Sequence, residues 1–238
     1  MKTKIVDPSM VEALPPSQRG ELWLQGPTTM KDGVIEHFPI WKAITDFDPQ
    51  IFIWLGDNVY GDIRCLYKVF GKERTIGPWK NAPRFVPSSQ QELESKYHKD
   101  KTNPAYSRLR QSTKVIGTWD DHDYGLNDAG KEFEGKVTNQ RLLLDLLDEP
   151  QDSPRRKQEG VYTYTFGPVN RQIKIILLDT RYHRDPLHSD GTILGVSQWT
   201  WLEKELNGPK TVITIIGSSI QREGVLFISG DVHFGEIS

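Results

Sequence analysis

Apolar residues fall into short clusters separated by glycine, proline and charge. Phe38, Ile40, Trp41, Ile44 and Phe47 recur at roughly helical spacing and predict an amphipathic helix over 38–47. Ile51-Phe52-Ile53-Trp54-Leu55 is apolar on both faces and stops at Gly56, which predicts a short buried strand. Residues 115–119 and 173–178 predict two more, the second interrupted only by Lys174 and ending at Asp179. Tyr162, Tyr164 and Phe166 alternate with threonines, the pattern of a half-buried strand. Strands are also predicted at 211–216 and 225–228. Among the helices, a short one is predicted at 90–98, inside an excursion over 71–101 rich in proline, glycine, serine and charge. Pro104 suits the first position of a helix running to Arg110. Thr138 is the expected cap of a helix carrying Leu142, Leu143, Leu146 and Leu147 and closed off by Pro150. Ser197 is the expected cap of a helix with Trp199, Leu202 and Leu206 on one face and Gly208 beyond its end. Residues 1–33, broken by Pro15-Pro16, Gly20, Gly26-Pro27 and Gly33, predict a loosely ordered lead-in to one domain over 34–238. Strands alternating with helices point to an α/β layered domain.

Composition narrows the function classes. The 238 residues suffice for a sizeable core. Thirty basic residues against 32 acidic ones leave a net charge of -2, so no basic excess points to nucleic acid. A negatively charged ligand must therefore be met by local charge or by metal. The longest apolar runs are far shorter than the about 20 residues a membrane helix needs. Met1-Lys2-Thr3-Lys4 is followed by Asp7-Pro8 rather than an apolar stretch, so no secretory signal is expected and a cytoplasmic location is the default. Cys65 is the single cysteine, which excludes a disulfide framework and a thiolate zinc site within one chain.

Four strand ends carry the candidate chemistry. Gly56-Asp57-Asn58-Val59-Tyr60-Gly61-Asp62 puts an aspartate just past a sharp turn; it reads either as a turn capped by Asp57 and Asn58 or as a ligand loop. Trp119-Asp120-Asp121-His122-Asp123-Tyr124 sets three carboxylates and a histidine side by side, which repel one another unless a cation sits among them. In Asp179-Thr180-Arg181-Tyr182, Arg181 either grips phosphate oxygens or forms a structural pair with an aspartate. In Gly230-Asp231-Val232-His233, alternation puts Asp231 and His233 on one side of an extended segment. Hard oxygen donors plus imidazole on separate strand ends are what a two-metal hydrolase requires.

These motifs, in this order and spacing, resemble the metallophosphatases, and more narrowly the alkaline phosphatase D-like (PhoD-like) branch. Leu178-Asp179-Thr180-Arg181-Tyr182 and Gln198-Trp199-Thr200-Trp201-Leu202 resemble that branch too. The likeness runs from about Pro39 to Glu236. It implies a calcineurin-like layered fold, two packed mixed sheets flanked by helices. It implies a centre of two or more metal ions, iron with calcium, and hydrolysis of a small phosphate monoester or diester by a metal-bound hydroxide. Asp57 would bridge the ions, Tyr60 would be a phenolate ligand, and Asp121, Asn127, Asp231 and His233 would complete the metal set. His122 would be the catalytic general acid and Arg181 the substrate-binding cation. The sequence departs from the branch in three places. The branch's opening strand, with a Gly-Ser-Cys motif whose cysteine binds metal, has no counterpart before Phe38, and Cys65 lies downstream. Residues 221–224 are too short for the crossover between two parallel strands, so these form a hairpin or a segment is missing. The sequence also stops at Ser238, where the branch continues. The expectation is a truncated or spliced form, incomplete at both termini, with a non-catalytic remnant acting as a binding protein as the alternative.

Overall fold

The computed structural model describes residues 39–74, 82–160, 162–187, 189–219, 227–231 and 234–237, the last two stretches by backbone path. In chain order, α1 (Pro39–Phe47) leads into β1 (Ile51–Leu55). Four short strands follow, β2 (Asp62–Arg64), β3 (Tyr67–Val69), β4 (Lys72–Arg74) and β5 (Phe85–Pro87). Next come α2 (Gln90–Thr102), α3 (Pro104–Ser112), β6 (Lys114–Thr118), the single turn α4 (Asp121–Tyr124) and α5 (Lys136–Leu146). The chain ends with β7 (Tyr162–Phe166), β8 (Ile173–Leu177), α6 (Gly195–Leu206), β9 (Ile213–Ser218), β10 (Phe227–Asp231) and β11 (Phe234–Ile237). No described helix is long and apolar enough to cross a membrane.

β1 and β6 form a parallel ribbon, and β11-β10-β9-β8-β7 form a five-stranded mixed sheet whose three inner strands are parallel. Side-chain alternation along β1 explains how these pieces pack. Ile53 and Leu55 face the larger sheet and join Ile116, Ile173, Ile175 and Leu177 in one buried cluster. Phe52 and Trp54 face the other way, against Trp41 of α1, Tyr106 and Leu109 of α3 and Leu143 of α5. Trp54 Nε1 donates to the Tyr106 hydroxyl at 3.0 Å, satisfying an indole nitrogen inside that core. The opposite face of β8 presents Ile176 and Leu178 to Leu202 of α6. Lys174 lies on that same face, and its ammonium reaches the Glu205 carbonyl at the end of α6, 2.8 Å away. A cation there meets the negative end of the helix dipole, which reconciles a lysine with a buried strand.

The mixed α/β expectation holds, but the two packed mixed sheets do not. Among the described residues the second sheet is the two-stranded parallel β1–β6 ribbon, and the β2–β5 and β3–β4 pairs form separate antiparallel ladders. β9 and β10 pair in parallel, Phe227 opposite Ile216 and Ser229 opposite Ser218, so the hairpin alternative is not adopted; residues 221–224 lie outside the described residues. Two expected caps also shift. α5 starts at Lys136 after Gly135, with Thr138 already inside its first turn. α6 starts at Gly195, whose φ of +66° turns the chain early and whose amide is taken by Thr192 Oγ1 at 2.8 Å, leaving Ser197 within the helix.

One helix position sets a pH dependence. Burial pushes the Asp100 carboxyl up to about 6, against the pull of Lys99. The folded state therefore holds this proton more tightly than the unfolded chain, whose aspartates titrate near about 4. Stability contributed here falls as pH rises from about 4 through 6 and stays low above. Asp100→Asn is expected to be neutral at pH 4 and stabilising by about 1–2 kcal/mol at pH 8, allowing for solvent screening, read from urea midpoints at the two pH values.

Candidate active site

The carboxyl ends of four strands meet at one edge. Gly56, at φ +119°, ends β1 where a Cβ would lie 2.6 Å from Asp120 Cβ and 3.3 Å from Ser219 Cβ. Only a glycine lets the strands come so close. Thr118 Oγ1 donates to the Leu178 carbonyl at 3.1 Å, and the Thr180 and Ser219 hydroxyls share a hydrogen bond at 2.5 Å. The ends of β6, β8 and β9 are thereby tied together. The parallel register of β10 with β9 carries its Asp231 end to the same edge. His233 lies outside the described residues.

Asp57 follows Gly56 with φ +53°, an unusual conformation for a residue with a side chain. This turn brings it against the β6 end, where one ligand atom each from Asp57, Asp120 and Asp121 lie within 4.8 Å of one another. The other residues of the acidic stretch are sorted by burial. Asp123 is fully buried and accepts from the Asp120 amide at 2.6 Å, the Asn58 amide at 3.2 Å and Asn58 Nδ2 at 2.5 Å. It ties the loop after β1 to the loop after β6, and burial with the nearby Asp57 charge pushes its carboxyl well above the usual range. Asp121 accepts from the His122 amide at 3.0 Å and the Asp128 amide at 2.7 Å.

Asp120 is buried with Arg181. Arg181 Nε donates to Asp120 Oδ1 at 2.6 Å and Nη2 donates to the same oxygen. Burial pushes the Asp120 carboxyl up to about 7 despite Arg181, helped by Asp121 and Asp57. Of the two readings for Arg181, the Asp–Arg pair is the one displayed.

His122 sits beside this group. Its Nδ1 lies 2.9 Å from both oxygens of Asp62, its ring stacks on Tyr60 at 4.4 Å, and the Phe85 edge meets it at 5.4 Å. Burial opposes a charged ring, but the Asp62 hydrogen bond and the charges of Asp62, Asp121 and Asp57 outweigh it and hold the imidazole at about 9. The Tyr60 hydroxyl donates to Asp57 Oδ2 at 3.3 Å, and burial with the Asp57 charge raises its pKa far above the usual phenol. Lys96 anchors the Tyr60 carbonyl at 2.8 Å. Asn127 donates its amide to Asp62 at 2.8 Å and its Nδ2 to Asp128 at 2.6 Å.

Asp57, Tyr60, Asp121, His122 and Asn127 are thus gathered in one neighbourhood, with Arg181 attached through Asp120. The sequence assigns no role to Asp62, reads Asn58 only as a turn cap, and leaves Asp120 undistinguished within its acidic stretch. Asp62 was visible only as the last residue of Gly-Asp-Asn-Val-Tyr-Gly-Asp; its partner lies 60 positions away.

A curated protein of Arabidopsis thaliana, 4-coumarate--CoA ligase-like 9, is 64% identical over 63 residues, 26% of this chain and 10% of that protein. A solved structure described as "Structure of PhoD" is 16% identical, with a TM-score of 0.47, over 71% of this chain and 36% of that one. The chain spans only a small part of the length of either. The profile of the family described as PhoD-like phosphatase matches residues 28–225. With most of its sequence inside that match, the chain belongs to the PhoD-like phosphatase family.

Proposed function

We propose that the chain hydrolyses phosphate monoesters or diesters at a metal centre built on Asp57 and Asp121. The observation that carries this reading is the convergence of Asp57, Asp120 and Asp121 within 4.8 Å, beside a histidine oriented by a buried carboxylate. The donor set fits a metal: hard carboxylate oxygens of Asp57, Asp120 and Asp121 pressed together at one edge. Asp57 and Asp121 would hold the ions, with Tyr60 and Asn127 at the margin and Asp231 and His233 of the Gly-Asp-Val-His motif completing the set; iron with calcium is the proposed pair. Bound metal would supply positive charge for phosphoryl oxygens and an acidified water.

The chain's own residues do the rest. His122, with Nδ1 taken by Asp62, presents Nε2 to protonate the leaving oxygen. Arg181 fixes Asp120 at the back of the cluster through two donations to one carboxylate oxygen, its charge adding to the field felt by a phosphoryl group. Tyr60 packs flat on the His122 ring and restricts its rotation.

The test is metal content of the purified chain together with turnover of a generic aryl phosphate. Metal bound with turnover abolished by chelation supports the reading. Metal bound without turnover supports the remnant alternative, and neither metal nor turnover sinks the proposal.

A further inference from the structure

We propose that the β3–β4 hairpin docks on an anionic lipid surface, with Phe70 as its apolar tip and the cations around it as its charge. The proposal is independent of the hydrolase reading and uses none of the residues placed in that site. The tip is the first observation. Val69 pairs with Lys72, so Phe70-Gly71 is a two-residue loop, and both of its residues have positive φ, +49° and +74°. Turns of this kind favour Asn-Gly, because asparagine tolerates the left-handed region and glycine has no Cβ to clash. A bulky aromatic in the first place is an outlier that folding alone does not explain. Phe70 is also 100% exposed, so the chain accepts backbone strain to hold a phenyl ring wholly in water. Both features make sense when the ring leaves water in a complex.

The hairpin is tied down at its root. The Cys65 amide donates to the Arg84 carbonyl at 2.8 Å, and the Tyr67 hydroxyl donates to the Pro83 carbonyl at 2.5 Å. Its charge is of one sign. Residues 63–74 and 83–86 hold five exposed cations, Arg64, Lys68, Lys72, Arg74 and Arg84, against the single acid Glu73, in a chain of net charge -2. Register puts Lys72 and Arg74 on one face of the hairpin with Val69 and Tyr67, and Glu73 opposite Lys68. Such side chains lay their stems along apolar surface while their heads meet phosphate groups. Apolar exposure continues at the base. Leu66 is 62% exposed, and the exposed Ile63 and Val86 face each other across the β2–β5 ladder. Aliphatic side chains gain little by stacking on nucleotide bases but are at home among acyl chains, which favours a lipid surface over a single-stranded nucleic acid. Basic residues around an apolar tip are the composition of an interfacial anchor.

The experiment is co-sedimentation of the full chain with vesicles of phosphatidylcholine, with and without phosphatidylserine, at low and high salt. The wild type is expected to bind the phosphatidylserine vesicles alone, and less as salt screens the cations. Phe70→Asn should weaken that binding by about 10-fold or more, the loss of one buried phenyl ring. Its thermal midpoint should hold or rise, because Asn-Gly suits the turn, so the loss is not one of folding. Lys72→Gln with Arg74→Gln should also weaken binding by about 10-fold or more. No binding to either vesicle, equal binding to both, or full binding by Phe70→Asn would each overturn the proposal. Where vesicles are not bound, sedimentation velocity of the chain alone and with an oligothymidine shows whether the tip instead joins two copies or a nucleic acid; either result overturns the lipid assignment.

Discussion

His122→Ala is expected to lose about 10²–10⁴-fold in kcat on an aryl phosphate, the usual contribution of a positioned general acid, while its metal content stays within error of wild type. The His122 ring is engaged through Nδ1 with Asp62 and by stacking with Tyr60, and neither contact involves the Asp57–Asp120–Asp121 oxygens. Removing the ring leaves those carboxylates in place, because Asp121 is held by backbone amides of residues 122 and 128, and Asp120 by Arg181. The loss should be steepest for esters with poor leaving groups. Metal loss in the variant would make His122 a ligand and reassign the acid.

Gly56→Val is expected to be the most damaging single change to the fold around the site. A valine at φ +119° meets backbone strain of about 1–3 kcal/mol, and forcing a side chain into a closed contact costs about 1–3 kcal/mol more. The total, roughly 2–6 kcal/mol, is a large share of the about 5–15 kcal/mol that holds a domain together. The obstruction is Asp120 Cβ and its backbone nitrogen rather than the movable end of a long side chain, so β1 and β6 must part at their carboxyl ends. Urea unfolding should show a lower midpoint, with metal content falling alongside. Unchanged stability and metal content would mean that the strand ends are not packed as tightly as this.

Much of this architecture is legible in the sequence where burial and periodicity agree. The run Ile51–Leu55 and the alternation of Tyr162–Phe166 become strands with those bounds, and Pro104 opens α3. What escapes is decided by contacts between distant residues. The β2–β5 and β3–β4 ladders are three residues long and mostly exposed, so no apolar pattern marks them. α4 looks like an acidic loop until Asp123 is seen holding the amides of Asn58 and Asp120. The early start of α6 depends on the positive φ of Gly195 packed over His183, which a search for a serine cap overlooks. At the site, residue types signal the chemistry of Asp57, Asp121 and His122. The division of labour is not readable, because an aspartate that staples loops and one that faces an ion are the same letter.

The loop-tying role of Asp123 has a thermodynamic consequence. Asp57 and Asp121 are delivered by segments joined through Asn58–Asp123 contacts 65 positions apart, and Asp120 is braced by Arg181 from 61 positions away. In an unfolded chain these carboxylates are independent and bind a cation weakly. An ion that prefers the assembled cluster therefore acts as a denaturation antagonist. At about one hundred times its dissociation constant it would deepen the native well by about 2.7 kcal/mol. Thermal midpoints of the chain should climb with the logarithm of ion concentration, so that a melting curve doubles as a binding isotherm.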